Sequence, residues 1–148
     1  MIRDITTKRN KTVPPLLPPG AAITNHTTFA TDMMDTQGCR GAEVSVISGA
    51  QVGNDGSNFV TPVLQESNTQ HDADFANVAA SDIVGGVVPG ALAANTVQKI
   101  GYIGMMRYVR VNFVFTGTGV TSAYLSAIGA LEFASLMPGT DPSPIGVN

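Results

Sequence analysis

Hydrophobic and polar residues alternate with a period of two through the last third of the chain. In the first run, Arg107–Thr116, β-branched and aromatic residues occupy every second position, which is typical of a half-buried strand. The run breaks at Gly117–Val120, and the alternation resumes over Thr121–Glu132 with small and apolar residues. Two long runs joined by a short glycine-containing break predict a β-hairpin. The side chains predicted to face inward are Val109, Val111, Phe113, Phe115, Ala123, Leu125, Ala127, Gly129 and Leu131.

Shorter strand patterns precede this region. Glu43–Ser48 alternates around two valines, and Gly49–Asn58 has the glycine, asparagine and aspartate content of a loop. Phe59–Glu66 predicts a further strand, in which Pro62 requires an edge or a bulge because proline has no N–H to donate. The fold class predicted from this pattern is all-β, an antiparallel β-sandwich or jelly-roll-like barrel. We expect that domain to span residues 23–136.

The two ends of the chain have a different composition. Residues 1–22 form a predicted extended N-terminal arm, since its proline pairs exclude helix and central strand. We expect this arm to dock on a neighbouring subunit, so that removing it abolishes binding to a particle while the domain still folds. Residues 137–148 contain three prolines and predict an extended C-terminal tail. The arm residues predicted to make protein contacts are Arg3, Lys8, Arg9, Lys11, Pro14, Pro15, Leu16, Leu17, Pro18 and Pro19.

Composition narrows the class of protein. Charged residues make up 13% of the 148-residue chain, about half the average for soluble domains, which indicates a surface covered by other subunits. The single cysteine excludes an intrachain disulfide and agrees with assembly in a reducing cytoplasm. Four basic residues against one acidic give the arm a charge of +3, and the whole chain's −3 leaves −6 for the rest. This charge pattern argues against nucleic-acid binding. The sequence has no run of eighteen apolar residues and no apolar signal core near its N-terminus, so we predict neither a membrane span nor a secretion signal.

No arrangement of residues predicts catalysis. Cys39 has no histidine near it in sequence, and His26 is isolated. His71, Asp72 and Asp74 carry side chains that can ligate a cation, but their spacing fits no calcium-loop pattern. We therefore predict no enzyme activity, no catalytic residue, no metal, no cofactor and no small-molecule substrate.

Four segments together resemble a group of small structural proteins of tailed phages and prophages. They follow the order "TPVLQES … VQxxGYIGxxRYVRV", continue into a "TGTG" turn and an apolar strand, and the likeness extends from Phe59 to about Leu131. The segments are Thr61–Ser67, Asp72–Phe75, Thr96–Gly104 and Arg107–Val111.

The resemblance implies a virion protein of the head, a decoration or cement protein on the capsid lattice. Its expected partners are the major capsid protein and further copies of itself, as a homotrimer at three-fold or quasi-three-fold points. Its expected location is the capsid surface, after assembly in the host cytoplasm. A head–tail connector, a tail or fibre component, and a carbohydrate-binding β-sandwich are the alternatives. Tyr108, Arg110 and Tyr124 lie on polar-leaning strand faces and are the candidate surface contacts outside the arm.

Overall fold

Ten antiparallel strands form the framework of the part of the protein that the structure describes. The computed structural model describes residues 10–12, 15–20, 22–24 and 28–133, and of Asn10–Thr12, Thr24 and Phe133 only the backbone. The long strands arise where the period-two alternation is longest, because that pattern places every second side chain on one buried side. The strands are β1 Asn10–Thr12, β2 Ile23–Thr24, β3 Phe29–Ala30, β4 Met34–Asp35, β5 Cys39–Val52, β6 Phe59–Ser67, β7 Ala76–Asn77, β8 Val97–Tyr102, β9 Tyr108–Thr116 and β10 Ser122–Phe133.

The strands are divided between two sheets that pack face to face. Sheet A has the order β1-β10-β5-β8, with β2 also paired to β10. Sheet B has the order β3-β9-β6-β7, with β4 also paired to β9. Two short 3-10 turns, Asp72–Asp74 and Ala80–Asp82, are the helical elements of the described residues. The all-β sandwich predicted from the sequence is confirmed.

The core lies between the two sheets and consists mainly of aliphatic side chains, together with Met34, Tyr102 and Phe113. Residues of the long strands supply most of it, and Val44, Val46, Val60, Val109, Val111, Phe113, Ala123 and Ala127 have 0% exposure. The inward residues predicted for β9 and β10 are buried as expected, except Phe115, which is partly buried against the core. The inward side therefore follows the sequence alternation, whereas Tyr108, Arg110 and Ser126 are buried on the side predicted to face outward.

The predicted hairpin between the last two long strands is wrong. β9 pairs along its whole length with β6, and β10 pairs with β5, so the two strands belong to opposite sheets. The segment between them crosses from one sheet to the other: Gly117 has a φ of 72°, and the Gly119 N–H donates to Asn58 Oδ1 at 2.7 Å. Alternation identifies the buried side of a strand, but it does not show which strand is the hydrogen-bonded neighbour. The same alternation is expected whether the next strand in the sequence lies in the same sheet or in the opposite one.

Other strand predictions hold with different lengths. The strand expected at Glu43–Ser48 extends in both directions to Cys39–Val52, so the loop begins at Gly53. Pro62 is buried in β6 opposite Phe113, and β7 pairs with only Gln65 and Glu66 on the other side of β6. Pro62 therefore lies on a part of β6 that is open to one side, as proline requires.

The described part of the N-terminal arm, residues 10–12, 15–20 and 22, lies on its own domain, which corrects for these residues the expectation that the arm docks on a neighbour. Asn10–Thr12 pairs with β10 at Glu132–Ala130, and Ile23–Thr24 pairs with its other end. Between them, Leu17 exchanges two backbone hydrogen bonds with Ala127, at 3.0 and 3.1 Å. The arm thus covers the edge of β10 that would otherwise be unpaired, and an unpaired edge invites aggregation.

Leu16 joins the two sheets. Its side chain is 3% exposed within the core, and its carbonyl accepts the Asp32 N–H at 3.0 Å from the segment between β3 and β4. The folded unit therefore includes residues that the sequence assigned to a separate arm before residue 23. Pro15, Pro18 and Pro19 are exposed and Leu17 is half-buried. The strand β1 places Lys11 opposite Leu131; Arg3, Lys8, Arg9, Pro14 and the tail 137–148 lie outside the described residues.

Candidate interaction surface

The outward side of sheet A presents apolar side chains to solvent. Val97, Tyr124 and Ile128 are 61%, 51% and 41% exposed, and Ile47 is half-buried beside Val97 in the register of β5 and β8. We call these four residues the sheet A face. Exposed apolar residues grouped on one surface are typical of sites that contact another molecule.

These exposed residues are not required by the core of the sandwich. In β10 the inward positions are filled by Ala127 and Leu131, at 0% and 3% exposure, while Ile128 points the other way. An outward position of an antiparallel sheet is usually polar. The sequence carries this signal, since Ile128 falls on the same side of the alternation as Tyr124, but the surface contacts predicted from the sequence do not include Ile128 or Val97.

Charge on this side of the sheet is nearly balanced. Lys99 Nζ lies 3.0 Å from Glu43 Oε1 on the neighbouring strand, and both side chains are exposed, at 67% and 46%. Such an exposed pair contributes little to stability. The Lys99–Glu43 pair matters more for association than for stability, because paired charges of opposite sign reduce the repulsion between two surfaces that come into contact.

The outward side of sheet B is partly covered by the loop at residues 68–75. The Arg110 guanidinium donates to Asp72 Oδ1 at 2.6 Å and to Gln65 Oε1 at 3.1 Å. It also lies 4.0 Å from the centroid of the Phe75 ring. The prediction of Arg110 as a surface contact is wrong, because these partners bury it to 8% exposure. Its role is to hold the loop onto the sheet.

Tyr108 is buried as well, at 7% exposure, which corrects its prediction as a surface contact. It lies opposite Asp35 in β4, and Arg107 lies 5.0 Å from its ring centroid. Arg107 is fixed there by hydrogen bonds to both carboxylate oxygens of Asp35. Tyr124 is the one of the three candidates that is exposed, and its participation in a contact stays a prediction.

A hydrogen bond between the sheets fixes one end of the sandwich. The Tyr102 hydroxyl, on β8, donates to Glu66 Oε2, on β6, at 2.6 Å, and accepts the Met106 N–H at 3.0 Å. Burial, and then the hydrogen bond to Glu66, raise the pKa of Tyr102 above its usual value. The loop 103–106 is held by this hydroxyl, while Ile103 and Met105 remain 54% and 98% exposed. We call this end of the molecule the Met105 pole.

The candidate cation ligands are engaged by protein groups. Asp72 accepts from Arg110, and Asp74 Oδ2 accepts from the Thr69 hydroxyl. Within residues 10–12, 15–20, 22–24 and 28–133, no group of three or more His, Cys, Asp or Glu side chains is placed to hold a metal ion. Cys39 is half-buried near the Gln37 carbonyl, and His26 lies outside the described residues.

Comparison with known proteins gives no family. Neither a scan against protein-family models nor a search of curated proteins found a match to this chain. In the portion of the chain that the structure describes, no helix has the length and hydrophobicity to cross a membrane. The surface geometry and the sequence pattern are therefore the basis for a functional proposal.

Proposed function

We propose that the chain is a non-enzymatic structural protein of a tailed-phage virion, a decoration protein that binds the outer surface of the capsid. The observation that carries the proposal is the sheet A face, where Val97, Tyr124 and Ile128 are exposed on the outward side of one sheet. The resemblance of the segments between Phe59 and Leu131 to phage structural proteins supports it independently.

The physical properties of the molecule suit this role. A decoration protein makes the same contacts many times on one particle, so a modest affinity per site is multiplied by neighbouring contacts. The two sheets give it a rigid surface, which loses little entropy on binding. The charges of Glu43 and Lys99 offset each other on this surface, which limits repulsion between neighbouring copies. We propose that the copies associate as homotrimers on the lattice.

The proposal is tested by binding to heads that lack the protein, prepared from the virus that encodes it. Ile128→Glu places a charge in the middle of the sheet A face without altering an inward position. We expect it to lower occupancy of the particles at least about tenfold, the effect of roughly 1.4 kcal/mol. Co-sedimentation with the heads over a range of concentrations measures this, with circular dichroism to show that the variant is folded.

A matched control comes from the loop at residues 84–90. Val87 is 74% exposed and is not one of the four residues of the sheet A face, so Val87→Glu introduces the same charge at a site that the proposal leaves free. Binding should be unchanged in Val87→Glu. Equal occupancy for wild type, Ile128→Glu and Val87→Glu would remove the sheet A face from the proposal, and no binding of the wild type would overturn the decoration function.

A further inference from the structure

The strand β8 lies at one edge of sheet A, with β5 paired to its inner side along its whole length. At the end of β8, the outer side is occupied, since the Val84 N–H donates to the Gly101 carbonyl at 2.9 Å. Before the start of β8, the chain turns at Asn95, which has a φ of 55°. Between these two points, none of the residues in the described ranges pairs with the outer edge of residues 96–100.

The backbone of this stretch offers hydrogen-bonding groups to a further strand. In an antiparallel ladder, the N–H and C=O groups of successive residues point to opposite sides of the strand. The Thr96 carbonyl accepts the Ser48 N–H of β5 at 2.8 Å, and the Gly101 carbonyl accepts on the opposite side. The alternation therefore directs the backbone groups of Val97 and Lys99 away from β5, and an edge of this kind is a template for pairing with another chain.

Gln98, at the middle of this stretch, carries an unsatisfied acceptor. Its side chain is half-buried, on the same side of β8 as the buried Ile100 and Tyr102. The Gln98 Oε1 atom is buried and has no hydrogen-bond partner, an arrangement that is costly for a polar group. A side-chain amide carries both donors and an acceptor, so a second glutamine placed opposite Gln98 can supply the missing donor.

We propose that β8 pairs with β8 of a second copy of the chain, antiparallel about a two-fold axis at Gln98. Each Gln98 then lies opposite its counterpart as a non-hydrogen-bonded pair, and each Val97 exchanges backbone hydrogen bonds with Lys99 of the other copy. This register uses the whole open stretch in both copies, because residues 96–100 are symmetric about residue 98. The inference goes beyond the proposed function and does not depend on it, since the contact needs no capsid.

The ends of the open stretch fit this register. Asn95 of the second copy comes opposite Gly101, where Val84 already occupies the edge. The chain does not need that position, because the Asn95 N–H donates to the Gly49 carbonyl of β5 at 2.9 Å and so turns inward there. The pairing can therefore end at Thr96 without displacing Val84.

The outward side chains also suit a pair of identical copies. Lysine on an edge strand usually discourages pairing, but Lys99 lies 3.0 Å from Glu43, which offsets its charge. In the proposed register Lys99 faces Val97 of the other copy, and Val97 is 61% exposed. The two-fold axis is perpendicular to the sheet, so the two sheet A faces lie side by side and point the same way. The paired stretch is short, and we expect a weak association.

A cysteine at the two-fold axis captures this contact. In a Cys39→Ser background, Gln98→Cys places two sulfur atoms on a pair whose Cα atoms are about 4.5 Å apart, within the range for a disulfide. Val87→Cys is the control, because Val87 is 74% exposed and can link copies only by random collision. With oxidised glutathione, Gln98→Cys should form the linked dimer at least about tenfold faster, as judged by non-reducing electrophoresis. An equal or slower rate overturns the proposal and leaves the edge to a strand of some other chain.

A second pair of variants tests the register without changing Gln98. Val97→Cys and Lys99→Cys, each in the Cys39→Ser background, are mixed in equal amounts, with an affinity tag on one of them. The mixed disulfide should predominate over the two homodimers, since residue 97 lies opposite residue 99 of the other copy. A statistical mixture of the three products, or an excess of either homodimer, overturns the register.

Proline at the edge tests the backbone pairing at equilibrium. Lys99→Pro removes an N–H that points away from β5, a position at which an edge strand tolerates proline, and Lys99→Ala removes the same side chain but keeps the N–H. In sedimentation velocity without capsids, wild type and Lys99→Ala should show a monomer–dimer equilibrium, with a dissociation constant at least about tenfold higher for Lys99→Pro. Circular dichroism checks that each variant is folded. Equal dissociation constants for the two variants, or a wild type that forms no dimer, overturns the proposal.

Discussion

Leu16→Ala tests whether the N-terminal arm is part of the folded domain. The Leu16 side chain is 3% exposed and lies between the two sheets, so the substitution removes three buried carbons and leaves a cavity. The lost transfer free energy is about 2.4 kcal/mol, at about 0.8 kcal/mol per buried carbon. The cavity raises the cost, and we expect the free energy of unfolding to fall by about 3 kcal/mol.

This loss is large for a domain of this size. A chain of 148 residues loses about 2–4 °C of Tm per kcal/mol, so the midpoint should fall by about 10 °C. The chain has no tryptophan, and far-UV circular dichroism during heating and urea denaturation is the suitable measurement. The protein concentration is kept low enough for copies to be separate, because the contact of Leu16 lies within one copy.

The neighbouring residue supplies the control. Leu17→Ala makes the same chemical change at a half-buried side chain whose backbone bonds to Ala127 remain, and we expect a loss of about 1 kcal/mol. Deletion of residues 1–22, which removes both leucines, should prevent stable folding. If Leu16→Ala unfolds at the wild-type midpoint, the arm does not contribute to the core and the structural reasoning is refuted.

Three further changes test other contacts. The pKa of Tyr102 is raised in the folded state, so the unfolded chain releases the phenolic proton at a lower pH than the folded chain does. The free energy of unfolding should therefore be unaffected by this group below about pH 10 and should fall by up to about 1.4 kcal/mol per pH unit above it. In urea denaturation over the same pH range, Tyr102→Phe should lose less stability than the wild type. Arg110→Ala should cost about 2 kcal/mol, against less than about 1 kcal/mol for the exposed Arg107→Ala; equal losses in chemical denaturation would contradict the role of Arg110. Asn58→Ala removes the acceptor of the Gly119 N–H and should lower stability by about 1–2 kcal/mol, an expectation that an unchanged Tm would rule out.

The positions and the inward side chains of the long strands could be predicted from the sequence, because the alternation of buried and exposed residues is a property of each strand by itself. The inward residues of β10 follow directly from a period of two, and so does the length of β9. Strand pairing could not be derived in the same way: β9 pairs with β6 at positions as far apart as Phe59 and Thr116, and alternation carries no information about which strand lies alongside. Because the Gly117–Val120 break is short, it suggested that β9 and β10 are neighbours in one sheet, whereas the chain passes there from one sheet to the other.

The surface was harder to predict than the core. Arg110 falls on the polar side of its strand, but its burial depends on Asp72, 38 residues away in sequence, which no local pattern reveals. The arm was misjudged because its prolines dominate its composition. The two leucines between the prolines, Leu16 and Leu17, indicated instead that this part of the arm is buried, since exposing consecutive large apolar side chains to water is unfavourable.

The pairing of the N-terminal segment with the last strand affects how the protein is made. Leu17 leaves the ribosome before its partner Ala127, which follows 110 residues later. At synthesis rates of about 5–20 residues per second, the early segment waits several seconds for its partner. Closing so long a loop makes folding slow. A nascent chain that stops short of β10 leaves the β5 edge unpaired and the Leu17 segment without its partner strand, so the two sheets can close only after β10 has been synthesised.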